Sequence, residues 1–437
     1  MSSEQLQKQP NTIPHWHTPD GETINITDGE GAWVKDDEGK EYLDFLSQLY
    51  CVNAGHGNER INQAIRQQLD RIAYVASSKH NEARSELSTR LAEINPIDDA
   101  SVFFAISGSE ANEAAIQLAR QYKDAPKVLT RWRSYHGGTY GAASLTGDAE
   151  TRASVERYAA TSGTARFLPP LPECFDASGP EDLAEKAANH LEWVIQNEDP
   201  DSIAAILTEP IGGSSGAFPA PPGYFERVRE ICDRYDILLI SDEVITGFGR
   251  CGDWFGIDTE DVEPDMITFA KGVTSAYVPL AGVIMNDSLG QHFGEEGIPV
   301  GQTFAGHPMA CAAGIAALDE YEEHLIDNVR SLAPELESKL RDIEEKYDVV
   351  GDLHGRGFHW GVEFHDPQTG EPFVNPWATD EDNPVAEVRS HAKDNGVLFG
   401  SGRPEIQIIL SPTLNINETD IQVAASALDD AIEATFY

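Results

Sequence analysis

Between about residue 60 and residue 320, short apolar runs alternate with segments of helical spacing, and no other feature constrains the chain as much. Ser101-Val102-Phe103-Phe104-Ala105 reads as a strand. From Glu110 to Tyr122 the apolar residues fall at 111, 114, 115, 118 and 119, the spacing of one helix face. Lys127 to Thr130, Ile203 to Leu207, Ile237 to Ile240 and Met266 to Phe269 read as further strands, and Tyr224 to Tyr235 as a helix. Runs that are apolar throughout suit strands covered on both faces. The expected fold is therefore α/β, a mostly parallel sheet with helices on both sides.

The two ends differ from this middle. Residues 14–50 read as short strands and turns, with turn signals at Asp20-Gly21, Asp28-Gly29 and Glu38-Gly39. Beyond residue 325 a charged helix is expected at 334–347, a strand near 357–364, a helix near 385–395 and a terminal helix from about 418. This predicts a smaller α+β domain built from both ends, residues 1–58 and 323–437, flanking a large domain at 59–322. The prolines at 169–172 and 219–222 mark extended loops.

Composition excludes several classes of function. The 437 residues carry 74 acids against 31 Lys and Arg, a net charge of −43. Nucleic acid is a poor partner for such a surface, because phosphate binding needs cations. An anionic membrane is disfavoured for the same reason. No apolar run approaches a membrane span, and the first residues lack the basic and apolar regions of a signal peptide, so the expected location is cytoplasmic. The five cysteines, at 51, 174, 232, 251 and 311, have no metal-ligand spacing and read as free thiols. The acids are dispersed, as at Asp36-Asp37-Glu38, Glu295-Glu296, Asp380-Glu381-Asp382 and Asp429-Asp430. Their mutual repulsion suits a salt-rich cytoplasm, where the screening length is a few ångström.

In open α/β sheets ligands sit beyond the carboxyl ends of the strands. Three stretches there carry polar chemistry. After Ala105 comes Ile106-Ser107-Gly108-Ser109-Glu110, small residues leading into a helix whose N-terminus suits a phosphate, or an ordinary cap on Ser109. After Ile240 comes Ser241-Asp242-Glu243-Val244, whose carboxylate fits a protonated ring nitrogen, a metal or a turn cap. A Walker-B strand would look alike, but the Gly-x-x-x-x-Gly-Lys loop it requires is missing. After Ala270 comes Lys271, one of 11 lysines in the chain. It is either a lysine reaching for solvent or an amine whose pKa is lowered by burial, a nucleophile for an aldehyde. A phosphate cradle, a strand-end carboxylate and a nucleophilic lysine together are what pyridoxal 5′-phosphate needs.

With these motifs in order, the sequence resembles the class III pyridoxal-phosphate aminotransferases of fold type I over nearly its whole length, from His15-Trp16-His17 to the C-terminal helix. The most specific block is LTEPIGGSSGAFPAPPGYFERVREICDRYDILLISDEVITGFGRCGDWFG (207–256), followed by FAKG (269–272). SGSEANEAA (107–115), YHGGTYGA (135–142) and TFAGHPMACAAG (303–314) complete it. The resemblance implies a seven-stranded, mostly parallel sheet in the large domain. It implies that Lys271 is the Schiff-base lysine, that Asp242 pairs with the pyridine nitrogen, and that Val244 and Tyr135 cover the two ring faces, with His136 and Gly137 beside Tyr135. Gly108 and Ser109 are expected to take the phosphate, and Glu209 to lie near the cofactor, tied to arginine. Thr303 is expected to reach the neighbouring subunit's phosphate, which makes the protein a homodimer with shared sites and leaves open whether dimers pair into tetramers. Without the family, Tyr135, His136, Val244 and Gly137 would be packing residues, Glu209 a strand end and Thr303 a cap on the helix after His307.

Two further stretches bear on substrate. Ser47-Gln48-Leu49-Tyr50 stands where the amine and ω-amino acid:pyruvate branch has Ser-x-Leu-Trp, so Leu49 and Tyr50 are expected to shape the pocket. Arg403-Pro404 stands where that branch has an arginine that binds a carboxylate; otherwise Arg403 offsets acidic neighbours on the surface. Ile245 replaces the glutamine usual in the ornithine and 4-aminobutyrate branches. The expected activity is ping-pong transfer of an amino group from an amine or ω-amino acid to a keto acid, pyruvate first. The alternatives are another class III aminotransferase, a glutamate-semialdehyde aminomutase, a transaminating decarboxylase and a non-catalytic acidic binding protein.

Overall fold

The computed structural model describes residues 24–158, 163–298, 300–374 and 383–437. His15-Trp16-His17, the Asp20-Gly21 turn and Asp380-Glu381-Asp382 lie outside the described residues. Strands β1 (Ile26–Glu30), β2 (Trp33–Asp36) and β3 (Glu41–Asp44) form an antiparallel ribbon. The large sheet follows: β4 (Ser101–Ala105), β5 (Lys127–Arg131), β6 (Thr164–Phe167), β7 (Ile203–Thr208), β8 (Leu238–Asp242), β9 (Met266–Phe269) and β10 (Ala281–Met285). The third region holds β11 (Val350–Arg356), β12 (His359–Phe364), β13 (Val397–Leu398), β14 (Gly400–Ser401) and β15 (Gln407–Leu410).

The large sheet has the order β4-β10-β9-β8-β7-β5-β6. Pairs β9/β8, β8/β7, β7/β5 and β5/β6 are parallel; β10 runs antiparallel to both β9 and β4. The reversal has a local cause. Only residues 270–280 separate β9 from β10, which is too short for the helical crossover that a parallel neighbour needs. Strands β7, β8, β9 and β10 are buried at every position, as their largely apolar runs suit. The helix Gly108–Lys123 lays Ala111, Ala114, Ala115, Leu118 and Ala119 across this sheet. The helix Tyr224–Tyr235 begins and ends at the predicted residues and buries Phe225, Val228, Ile231 and Cys232.

The chain ends meet in the fold. Strand β13 pairs parallel with β3, so residues 397–398 complete the N-terminal ribbon. Strands β11, β12, β15 and β14 form a separate antiparallel sheet. The charged helix is longer than its sequence suggests. It spans Ile326–Lys346 with Pro334 inside, because the apolar stripe Ile326, Val329, Leu336, Leu340 and Ile343 anchors it on both sides of the proline. The terminal helix is Glu418–Phe436, capped by the side chain of Asn417. All five cysteines are free, and among the described residues no helix is long and apolar enough to cross a membrane.

Candidate active site

The carboxyl ends of β4, β5, β7, β8 and β9 and the turn at Ser47–Tyr50 enclose a cavity of about 420 Å³. Its lining includes Leu49, Tyr50, Gly108, Ser109, Tyr135, His136, Gly137, Glu209, Asp242, Val244, Lys271 and Arg403. Of the residues singled out from sequence, Thr303 alone stands elsewhere. It is exposed, and its carbonyl accepts a hydrogen bond from the Tyr74 hydroxyl at 2.9 Å. Nor does it cap the next helix, which starts at Pro308 behind His307.

Lys271 follows β9 at the cavity floor. Its backbone sits at φ +48°, a conformation costly for a residue with a Cβ. Burial pushes its ammonium below the ordinary lysine value, opposed by Cys51, Asp242 and Glu209 nearby. The Nζ lies 5.1 Å from the centre of the Tyr50 ring. Tyr50 is itself buried, edge-on to His359 with ring centres 5.9 Å apart, and burial raises its phenol to about 12.

Asp242 ends β8 and is 4% exposed. Its Oδ2 lies 2.7 Å from His136 Nδ1 and accepts from Asn112 Nδ2 at 2.9 Å; its Oδ1 accepts from the Val244 N–H at 3.1 Å. Asn112 is fixed in turn, accepting from the Thr268 hydroxyl at 2.7 Å and donating to the His136 carbonyl at 2.7 Å. Neither Asn112 nor Thr268 was singled out from sequence. Asn112 lies one turn past Ser109 on the inward face of its helix, a signal that helical spacing could have supplied. Glu243, the other acid of the pair, turns away into the core. It accepts from the Gly256 and Ile257 N–H groups at 2.8 Å and from the Ser241 and Thr246 hydroxyls.

Ser107, not Ser109, caps the helix after β4: its Oγ accepts from the Glu110 N–H at 3.3 Å. That frees Ser109 Oγ, which accepts from the Gly138 N–H at 3.1 Å. As the first two helical residues, Gly108 and Ser109 have N–H groups without intrahelical partners. Glycine is needed on both sides of this slot. A Cβ on Gly108 would lie 3.0 Å from the Val244 side chain, and one on Gly137, at φ +137°, would lie 2.4 Å from Ser109 Oγ. Glu209 is also buried, and Arg131 donates to its Oε2 at 2.8 Å. Burial pushes the Glu209 carboxyl up, and the Arg131 guanidinium opposes this. Arg131 stacks over Phe218 at 4.6 Å and was not identified from sequence.

Pyridoxal 5′-phosphate fits these residues. The donor set has a buried, easily deprotonated amine, a carboxylate held by three hydrogen-bonding groups, and a glycine-lined helix N-terminus that suits a phosphate. Among the described residues no group of His, Cys, Asp and Glu could hold a metal ion.

The fold and this cavity define a pyridoxal-phosphate-dependent transferase of fold type I. The chain belongs to the class-III aminotransferases, whose family model matches residues 16–432. It is 41% identical to a "Probable aminotransferase" of Mycobacterium tuberculosis over 366 residues, 80% of this chain and 77% of the relative. It is 31% identical to the mitochondrial gamma-aminobutyrate transaminase 1 of Oryza sativa subsp. indica, over 96% of this chain and 83% of the relative. The solved taurine:2-oxoglutarate aminotransferase of Bifidobacterium kashiwanohense, in complex with PLP and glutamate, superposes with a TM-score of 0.92 at 32% identity, covering 99% of this chain and 98% of that one. The protein is a pyridoxal-phosphate-dependent aminotransferase.

Proposed function

We propose that this aminotransferase takes its amino group from an amine or ω-amino acid and delivers it to a keto acid, pyruvate first, in a ping-pong reaction. The observation that carries this reading is one cavity lined by Lys271, Asp242 and Arg403 together with the apolar side chains of Leu49, Ile245 and Phe399. When bound, pyridoxal phosphate supplies a carbonyl for the donor nitrogen and an electron sink for the electrons released at the donor carbon. The protein's part is proton handling and placement. Lys271 Nζ, whose ammonium form burial disfavours, is placed to take the proton from the donor carbon and release it again within the same half-reaction, and to do the reverse when the keto acid reacts. The Asp242 carboxylate would pair with the heterocycle's nitrogen, and His136 and Asn112 hold that carboxylate still. Tyr135 and Val244 would hold the ring between them and Gly108, Ser109 and Gly137 would take the phosphate, while Glu209 with Arg131 supports the floor. Arg403 binds the keto acid carboxylate.

What supports that role is the place of Arg403 in the cavity wall. Its Nη1 lies 3.3 Å from Asp148 Oδ2 and 3.1 Å from Thr151 Oγ1, and its guanidinium lies 5.8 Å from the Tyr135 ring centre. The relatives support donors with a terminal amine, since taurine and gamma-aminobutyrate both appear in their names. They also keep 2-oxoglutarate as a second reading for the acceptor. In this reading the protein is a cytoplasmic homodimer adapted to salt. Thr303 of each subunit serves the neighbouring subunit's phosphate, and residues 1–58 and 323–437 form the small domain around a large domain at 59–322.

The test is a donor screen in molar KCl with pyruvate and, separately, 2-oxoglutarate. Alanine appearing from pyruvate supports the reading. Glutamate formed without alanine moves the acceptor to 2-oxoglutarate. Amino-group migration within one substrate, with no keto acid needed, would replace the reading with an aminomutase.

A further inference from the structure

A second guanidinium lines the cavity. Arg389 lies on the helix Pro384–Asp394, whose buried residues Val385, Val388 and Ala392 mark its inward face. Position 389 is four residues after Val385 and three before Ala392, so it belongs to that apolar stripe. A cation there costs desolvation unless something pairs it. Arg389 is half-buried and makes no hydrogen bond or ion pair among the described residues. That is unusual in a chain with 74 acids and 31 bases. Arg403, in contrast, already has Asp148 and Thr151 as partners. Both guanidinium groups act on the buried Tyr50 phenol, which stands between the turn at Ser47 and Lys271.

We propose that Arg389 is a specificity residue that binds the distal acid group of an ω-amino acid donor. This rests on the reading given under Proposed function and names the donor class for it. The two arginines then serve the two halves of the cycle. Arg403 takes the carboxylate next to the keto acid carbonyl. Arg389, on the C-terminal helix, takes an acid several carbons from the reacting amine. A neutral amine of the same length leaves Arg389 unpaired in an apolar wall, so the site favours the acid-bearing donor by about ten- to hundredfold.

The experiment compares 4-aminobutyrate with butylamine, which differ by the carboxylate, on the holoenzyme with pyruvate as acceptor. The wild type prefers 4-aminobutyrate, and in R389Q the ratio of the two kcat/KM values falls about ten- to hundredfold. R389K, which keeps the charge, retains part of the preference. An unchanged ratio in R389Q, or a wild type with no preference, overturns the proposal while leaving the transaminase reading intact. A wild type that converts neither donor, nor any other amine, would overturn that reading first. If R389Q does not fold, R403A decides. The preference for 4-aminobutyrate persists there if Arg389 holds the acid and disappears if Arg403 does. Titration calorimetry of R403A with pentanoate, which has the acid and no amine, gives a readout independent of turnover. Binding that is at least tenfold tighter than that of pentanamide supports Arg389, and equal binding overturns it.

Discussion

His136 Nδ1 lies 2.7 Å from Asp242 Oδ2, with both side chains withdrawn from water. Asn112 donates to the same oxygen, so one carboxylate oxygen carries two partners and cannot rotate freely. Asp242→Asn keeps the shape and removes the charge. The expected result is a protein that still binds the cofactor and turns over about a hundredfold or more slowly. His136→Phe leaves Asn112 in place, and its loss is expected to be smaller. A kcat for Asp242→Asn within tenfold of wild type would mean the charge does not serve the ring.

Lys271→Ala removes the amine from the cavity floor. Turnover is expected to fall by about a thousandfold or more, since proton transfer and carbonyl capture both depend on it. The visible absorbance of the purified protein should vanish while the circular dichroism stays. Retained half-reaction rates would place the reactive amine elsewhere.

Arg403→Ala separates the substrates. The KM for pyruvate is expected to rise about ten- to hundredfold, the cost of a lost charged hydrogen-bonding partner, and far more than the KM for an amine without a carboxylate. Equal rises on both sides would assign Arg403 a structural task with Asp148 and Thr151.

Burial raises three carboxyls around the loop after β8, Glu243 and Glu260 to about 7 and Asp258 to about 6. Each is raised above its unfolded value, so its contribution to stability is complete below about pH 4.5 and is lost as pH rises through its folded value. The melting temperature in fixed molar salt is therefore expected to fall between about pH 4.5 and pH 7, most steeply near pH 5–6, and to level off above. Glu243→Gln should flatten that slope. A melting temperature that climbs over this range would contradict the sign.

The net charge of −43 predicts a salt dependence. At low ionic strength the acids repel over about 10 Å or more, and near 1 M over about 3 Å. The melting temperature is expected to rise with KCl from low to molar concentration. A flat profile would remove salt adaptation from the reading.

Much of the site was legible because it lies at strand ends, and strand ends are marked by where apolar runs stop. Met266–Phe269 and then Lys271, and Ile240 followed by Asp242, need only that pattern. Tyr135, His136 and Gly137 needed the family resemblance, since their loop carries no periodicity. Asn112 was missed because it sits inside a helix, where a polar residue looks like an outward-facing one, and Arg131 because an arginine ending a strand reads as one reaching for solvent. Only the packed sheet brings Arg131 to Glu209 and Asn112 to Asp242.

By itself the sequence determined the local elements, their order and the strand-end residues that line the cavity, because hydrophobic periodicity and chain-neighbour chemistry are short-range. The tertiary structure alone decided the reversal of β10, the joining of β13 to β3 across the chain, and which arginines face one cavity. Those depend on contacts between segments far apart in the chain, and such contacts form only when the core closes and leaves a polar side chain no other place to go.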